Sequence, residues 1–471
     1  MEPVLGVAEM RAVDGIAGRA VPLSVLVERA GTALASEALS MLGPKGAYGR
    51  RVVVVAGPGN NGNDGRVAAR HLERRGSRVV VFDVSGAPRR VTGADLVIDA
   101  AYGTGYRGTY EAPETGGSPV LAVDVPTGLD ATSGIACPTA VGASRTVTFG
   151  ALKPGMVLND GPERCGAIVT RRIGLPIDDV EATAHLVCDH DVAALLPARE
   201  RAAHKWSHGV VIVAGSPGMY GAATYAAAGA GRGGAGMVRL GVPGADPGHL
   251  PVGPAVGFAI EQGDFYHRVM EEAGRCRAIV LGPGLGSSAE TAETLRRLVA
   301  DVAVPAVVDA DGLSALGTLE RAAEVIGARG SRPVVLTPHD GEFARLAGRR
   351  PGPDRIAEAR ALAAQTGATV LMKGPTTVVA GPDGRVLLAA AGSARLATAG
   401  SGDVLSGVIG AFLARGVGAL EAAALAAHVH GRAAGRGRAE GLLAGDLPEL
   451  VADVLSTAAL GRDQFRPEQG S

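Results

Sequence analysis

The segment LATAGSGDVLSGVIGAFLA, residues 396–414, joins a glycine-rich turn to an amphipathic helix and carries an aspartate at the join. Val404, Leu405, Val408, Ile409, Phe412 and Leu413 recur at helical spacing, which predicts a helix starting near Ser401 or Gly402. Gly400, Gly402 and Asp403 then stand at its N-terminus. Free backbone N–H groups and the positive helix-dipole end favour an anion there, and glycine lets a phosphate approach the main chain. A carboxylate in such a cradle opposes an anionic ligand, so Asp403 is costly there unless it acts on that ligand. Its bland reading is that of any first-turn aspartate, which complements the dipole.

A second constellation begins with GPGNNGNDG, residues 57–65. It satisfies G-x-G-x-x-G, with Asp83 about 20 residues on, as a dinucleotide-binding turn requires. Against that reading, Asn60, Asn61, Asn63 and Asp64 crowd the turn, and Asp64 places a carboxylate where a pyrophosphate would rest. IDAAYGTGYRG at 98–108 and VDVPTGLD at 123–130 also follow strand-like runs, so Asn61, Asp99, Asp124 and Thr127 are expected to converge on one crevice. Two carboxylates among hydroxyl and amide oxygens suit either a hard cation or an acid/base pair. Turn and N-cap duty is the alternative for each loop alone. Lys153, in ALKPG, reads as a surface lysine, with a second acid/base group as the alternative.

The elements that must hold these residues alternate. Strand-like runs at 51–56, 78–84, 96–100, 120–125 and 145–149 form one series, with a helix ending at Gly76 between the first two. A second series runs through 210–214, 278–281, 306–309, 334–337 and 369–372. Each predicts a parallel sheet with helices on both faces, hence an α/β chain of two domains divided near residue 180. The polar segment 459–471 is expected to be a loose tail. At 471 residues, two cores are the natural expectation, and 71 glycines with 3% aromatic residues agree with closely packed helices and many glycine turns.

A formal net charge of −1 gives no reason to expect a nucleic acid or an anionic membrane as partner. Cys137, Cys165, Cys188 and Cys276 form no CxxC pair, which argues for reduced thiols in a cytoplasm. No stretch approaches the roughly 18 apolar residues of a membrane span. A cytoplasmic protein is expected.

GPGNNGNDG, DAAYGTG and DVPTGLD resemble the NAD(P)H-hydrate epimerase domain, whose usual motifs are GPGNNGGDG, DAlfGTG and DiPSGl. The resemblance covers residues 1–178 and implies a Rossmann-like three-layer sandwich. It implies that Asn60, Asn61, Gly62, Asn63 and Asp64, with Gly103, Thr104, Gly105, Tyr106, Arg107, Gly108 and Thr109, hold the hydrated nucleotide. It further implies Asp124 at the reacting ring and K⁺ on Asn61, Asp99 and Thr127. Asn63 stands where the family has Gly, and Thr127 where it has Ser.

Residues 186–458 look like the ADP-dependent NAD(P)H-hydrate dehydratase domain, which is ribokinase-like. The segments that carry this are HKWSHGVVIVAGSPGMYGAA, GPGLG, VVDADGLSAL, TPHDGEF, KGPTT and AGSGDVLSG, in that order. The resemblance implies that Lys373, Gly374, Pro375, Thr376, Thr377 and Gly402 hold the adenine nucleotide. Ala222, Gly286, His339 and Asp403 would hold the hydrate, and Trp206 replaces a family glycine. Asp309 and Asp311 suit a nearby Mg²⁺ or simple helix capping, and His428 and His430 read as packing or surface residues.

Together these imply a lyase and an isomerase in one multifunctional chain. It would take NADHX and NADPHX with ADP as small-molecule partners and assemble as a homo-oligomer. A ribokinase-like kinase of a small alcohol is the competing reading.

Overall fold

The computed structural model describes residues 1–44, 46–246, 253–261 and 263–464. Contacts divide the chain into two compact units, one of Glu2–His185 and one from Leu186 onward with Met1.

In the first unit the valine-rich run Arg51–Ala56 is buried on both faces, as a central parallel strand requires. The six-stranded sheet runs Arg78–Asp83, Arg51–Ala56, Leu96–Ala100, Val120–Val123, Arg145–Phe149, Ala167–Arg171, with every pairing parallel. Chain order reverses direction between Arg51–Ala56 and Leu96–Ala100, and the crevice at their C-terminal ends is where such sheets bind ligands. Helices Leu23–Leu42 and Asn60–Arg74 cover one face through Ala30, Leu34, Ala68 and Leu72. The opposite face is closed by Val91, Tyr110 and Val141 on irregular segments in place of helices, because the connections 101–119 and 124–144 are broken by glycine and proline.

In the second unit, parallel strands lie in the order Thr369–Met372, Val334–Leu336, Ala306–Val308, Ala278–Leu281, Gly209–Val213, Met237–Gly241, Ala255–Phe258. Thr377–Ala380 and Val386–Ala389 extend the first of these as an antiparallel pair. Here the direction reverses between Gly209–Val213 and Ala278–Leu281. The helix at the acidic glycine turn is Ser401–Ala414. It lies flat on helix Tyr220–Arg232, since a Cβ on Gly229 would meet the Val404 carbonyl at 2.2 Å and one on Gly407 the Ala226 carbonyl at 2.0 Å. Bulk at either glycine would lift the acidic turn out of place.

The expected loose tail is corrected at its start. Helix Leu447–Gln464 runs through residue 459, because Leu447, Val451 and Val454 bury one face into the core. Residues 465–471 lie outside the described residues.

Candidate active sites

In the first unit, Gly57 and Gly62 set the turn. A Cβ on Gly62 would fall 1.9 Å from the Gly57 carbonyl, so only glycine lets helix Asn60–Arg74 start there. A cavity of ≈340 Å³ opens over this turn, lined by Asn60, Asn61, Asp64, Thr104, Gly105 and Asp124 among others.

Asp124 follows strand Val120–Val123 with φ of 66°, a left-handed conformation that a non-glycine residue holds only when its surroundings fix it. Its Oδ2 accepts hydrogen bonds from the Thr104 amide at 3.1 Å and the Thr104 hydroxyl. Its Oδ1 accepts from Lys153 Nζ at 2.5 Å and Thr148 Oγ1 at 3.2 Å. Lys153 is 1% exposed and also donates to Thr148 Oγ1 and the Phe149 carbonyl, which corrects its reading as a surface lysine. A buried ammonium needs an ionised partner, and Asp124 is that partner. Burial pushes the Asp124 carboxyl up, but the Lys153 charge and the bonds from Lys153 and Thr104 outweigh it and hold it below the usual range.

Asp99 is buried, and its oxygens accept from the Thr127 amide and hydroxyl, both at 2.8 Å. Burial pushes its carboxyl up to about 6 against the bonds from Thr127. Thr127 Oγ1 also lies 3.1 Å from the Tyr102 carbonyl, so its single proton faces two acceptors. Asn61 ties to the end of strand Val120–Val123, donating through Nδ2 to the Val123 carbonyl at 2.7 Å. Asp99, Thr127 and Asn61 thus offer hard oxygens at neighbouring strand ends, a donor set that fits a monovalent cation.

Asp83 pairs with Arg66 at the sheet edge, well exposed. Tyr106 stacks on Tyr102 at 4.2 Å, while Arg107, Gly108 and Thr109 are exposed.

In the second unit, Gly400 takes φ of 94° and caps helix Ser401–Ala414, putting Gly402 and Asp403 in its first turn. Lys373 follows strand Thr369–Met372, close enough that its Nζ would lie 3.5 Å from a Cβ on Gly402. It pairs with Asp309 at 2.6 Å, and Asp309 also accepts from Ser406 Oγ at 2.5 Å. Burial raises the Asp309 carboxyl, but Lys373 more than offsets it and the net direction is down. Among the described residues the Asp403 carboxyl makes no ion pair; burial first, then the Asp309 charge, push it up to about 6 against the pull of Lys373.

Ala310, between Asp309 and Asp311, sits at φ 51° and ψ −117°, which is strained for a residue with a side chain. Asp311 Oδ2 accepts from the Gly286 amide at 2.8 Å, joining the GPGLG turn to this cluster. Ala222 lies against Gly284, 3.1 Å from where that glycine's Cβ would stand. His339 caps helix Asp340–Ala347, and its Nδ1 accepts from the Gly341 and Glu342 amides, so the ring hydrogen lies on Nε2. Gly374 and Pro375 are exposed, Thr376 is buried, and Thr377 opens the antiparallel strand. His428 is buried against Asp189, and His430 is held neutral by burial, which pushes it down to about 4.

Residues 210–456 match the NAD(P)H-hydrate dehydratase family, and residues 23–92 and 83–155 match the family described as YjeF-related protein N-terminus. A bifunctional NAD(P)H-hydrate repair enzyme Nnr from Moorella thermoacetica is 35% identical over 97% of this chain and 99% of its own length. The chain belongs to the bifunctional NAD(P)H-hydrate repair enzyme family. A relative of the same name from Mycobacterium leprae is 38% identical over 97% of this chain and 98% of its own. A ribokinase-like superfamily protein from Enterococcus faecalis superposes with a TM-score of 0.50 at 20% identity, covering 59% of this chain and 97% of that one, which shows the fold alone.

Two departures from the repair-family motifs lie outside the lining of the first-unit cavity and the acidic turn. Asn63 is exposed on the first helical turn. Trp206 stacks under Arg275 at 4.6 Å beside Gly209, the opposite strand end from the site. Sequence reasoning missed the burial of Lys153 and the bonds from Thr148 and Ser406. The one available signal was that Lys153 stands between a strand and a proline turn at the strand end where Asp124 is already expected.

Proposed function

We propose that the chain repairs hydrated nicotinamide nucleotides: the first unit interconverts the R and S hydrates, and the second dehydrates the S epimer at the expense of ADP, giving NAD(P)H, AMP and phosphate. The observation that carries this reading is the unpaired Asp403 carboxyl in the first turn of helix Ser401–Ala414, beside Lys373.

Hydroxide is a poor leaving group from C6, and phosphorylation of the C6 hydroxyl makes it a good one. Asp403 takes the hydroxyl proton while the amides of residues 400–402 face the charge on the transferring phosphoryl group. Lys373, fixed by Asp309, meets the nucleotide phosphates as a point charge, with residues 374–377 and Gly402 around it. Ala222, Gly286 and His339 position the hydrate, His339 donating through Nε2. Asp309 and Asp311 would supply hard oxygens of the kind Mg²⁺ takes, and Mg²⁺ held there would neutralise phosphate charge. In the first unit, residues 60–64 and 103–109 hold the same hydrate, and the Asp124 carboxylate faces its ring. Asp99, Thr127 and Asn61 would hold K⁺, whose charge would fix the loops they stand on. We place the enzyme in the cytoplasm as a homo-oligomer acting on NADHX and NADPHX, and assign residues 1–178 and 186–458 to the two activities.

The test is recovery of the nicotinamide near-ultraviolet absorbance from mixed R and S NADHX, with ADP or ATP, in K⁺ and Mg²⁺. Full recovery with ADP supports both activities. Recovery that halts when the S epimer is consumed removes the epimerase, and no recovery with either nucleotide favours the small-alcohol kinase.

A further inference from the structure

The first-unit cavity holds a carboxyl that the reading above uses only for binding. Asp124 already accepts two bonds on each oxygen, from Thr104, Lys153 and Thr148, which fills the four lone-pair sites of a carboxylate and fixes it as an anion. It has no room to take up and release a proton. Asp64 has that room. It stands on helix Asn60–Arg74, is 5% exposed, lines the cavity, and among the described residues receives no hydrogen bond at its carboxyl. Gly31 holds it there: a Cβ on that residue would lie 2.9 Å from the Asp64 carbonyl and 2.3 Å from Val67, so helix Leu23–Leu42 presses on its backbone.

We propose that Asp64 is the general acid of epimerisation, giving its proton to the C6 hydroxyl as it leaves and regaining it from the water that returns on the other face. The inference rests on the epimerase reading and deepens it. In the first step the Asp64 carboxylic acid protonates the hydroxyl, the C6–O bond breaks with its electrons on oxygen, and the N1 lone pair forms an N1=C6 iminium. The fixed Asp124 anion faces that cation. In the second step water bonds to the opposite face of C6, the π electrons return to N1, and the water's proton goes to the Asp64 carboxylate. Water and the proton are both returned, and no other reactant is needed.

The surroundings favour the protonated form. Helix Leu23–Leu42 brings Leu26, Val27 and Ala30 to the cavity, all apolar, while Asp124 with its partner Lys153, and Arg11 and Asp14 on helix Val7–Ala20, are the charged groups around it among the described residues. Burial first, and the Asp124 charge after it, push the Asp64 carboxyl up to about 8.

The decisive variant is Asp64→Asn in the full chain, because asparagine copies the shape and neutrality of a protonated aspartate and removes only its proton. With mixed R and S NADHX as probe, we expect epimerisation to fall about 10²–10⁴-fold, KM for the hydrate to hold, and ADP-driven loss of the S epimer to continue. The parent's epimerisation should decline as pH rises through about 8, and the residual rate of the variant should lack that decline. A variant with the parent's rate and pH profile would overturn the proposal, as would one whose first unit no longer melts cooperatively, since Asp64 would then be structural. A parent chain that dehydrates the S epimer but never interconverts the two would overturn the epimerase reading and the proposal with it.

Discussion

The two units solve one electrostatic problem twice. Each buries a strand-end aspartate against a lysine, Asp124 with Lys153 at 2.5 Å and Asp309 with Lys373 at 2.6 Å, and each places a second aspartate nearby that makes no ion pair among the described residues. The paired carboxyls are held down and the unpaired ones pushed up, Asp64 to about 8 and Asp403 to about 6. Environments that drive two carboxyls apart assign one as a fixed anion and the other as a proton carrier. The units differ in where the lysine can reach. Lys153 is sealed among three acceptors, whereas Lys373 keeps 22% of its side chain exposed beside Gly402. The first lysine serves its aspartate alone; the second also faces a ligand.

The largest effect expected from breaking this symmetry is on dehydration. Asp403→Asn should lower it about 10²–10⁴-fold and leave epimerisation intact, read as interconversion of the two epimers without recovery of absorbance. Next, Lys153→Met strands a buried carboxylate and should destabilise the first unit by about 3–5 kcal/mol. Lys373→Met strands Asp309, which is 1% exposed, and should cost the second unit a comparable amount while also abolishing ADP-driven dehydration. Thermal melts of both variants beside activity separate the two.

The pH profiles should also diverge. A general base must be ionised, so dehydration should climb as pH rises through about 6 and then level. An acid must be protonated, so epimerisation should fall above about 8. In stability the sign follows from proton binding. Folded Asp64 keeps its proton from the unfolded value of 3.8 up to about 8 while the unfolded chain has lost it, so folding weakens as pH rises across that window. Asp64→Asn should therefore melt above the parent at pH 8. The smallest effect is conformational: Ala310→Gly relieves the strain at φ 51° and should stabilise the second unit by about 1 kcal/mol, read in the same melts.

Much of this was legible beforehand. The helix at Ser401 and the central strands of both sheets follow from hydrophobic periodicity and glycine punctuation, which are local properties. Strands Met237–Gly241 and Ala255–Phe258 were not read, since their apolar residues are few and interrupted by Arg239 and Gly257. The sealing of Lys153 was missed because its three acceptors, on Asp124, Thr148 and Phe149, meet only once parallel strands lie side by side. Local sequence carries charge and turn; it does not carry which charge finds which partner.

The most direct test of one fixed anion and one proton carrier per unit is complementation between whole chains in mixed R and S NADHX with ADP. Asp64→Asn alone should stop once the S epimer is gone, Asp403→Asn alone should recover nothing, and the two together should recover all of the reduced nucleotide. Complete recovery by either variant alone would contradict the account.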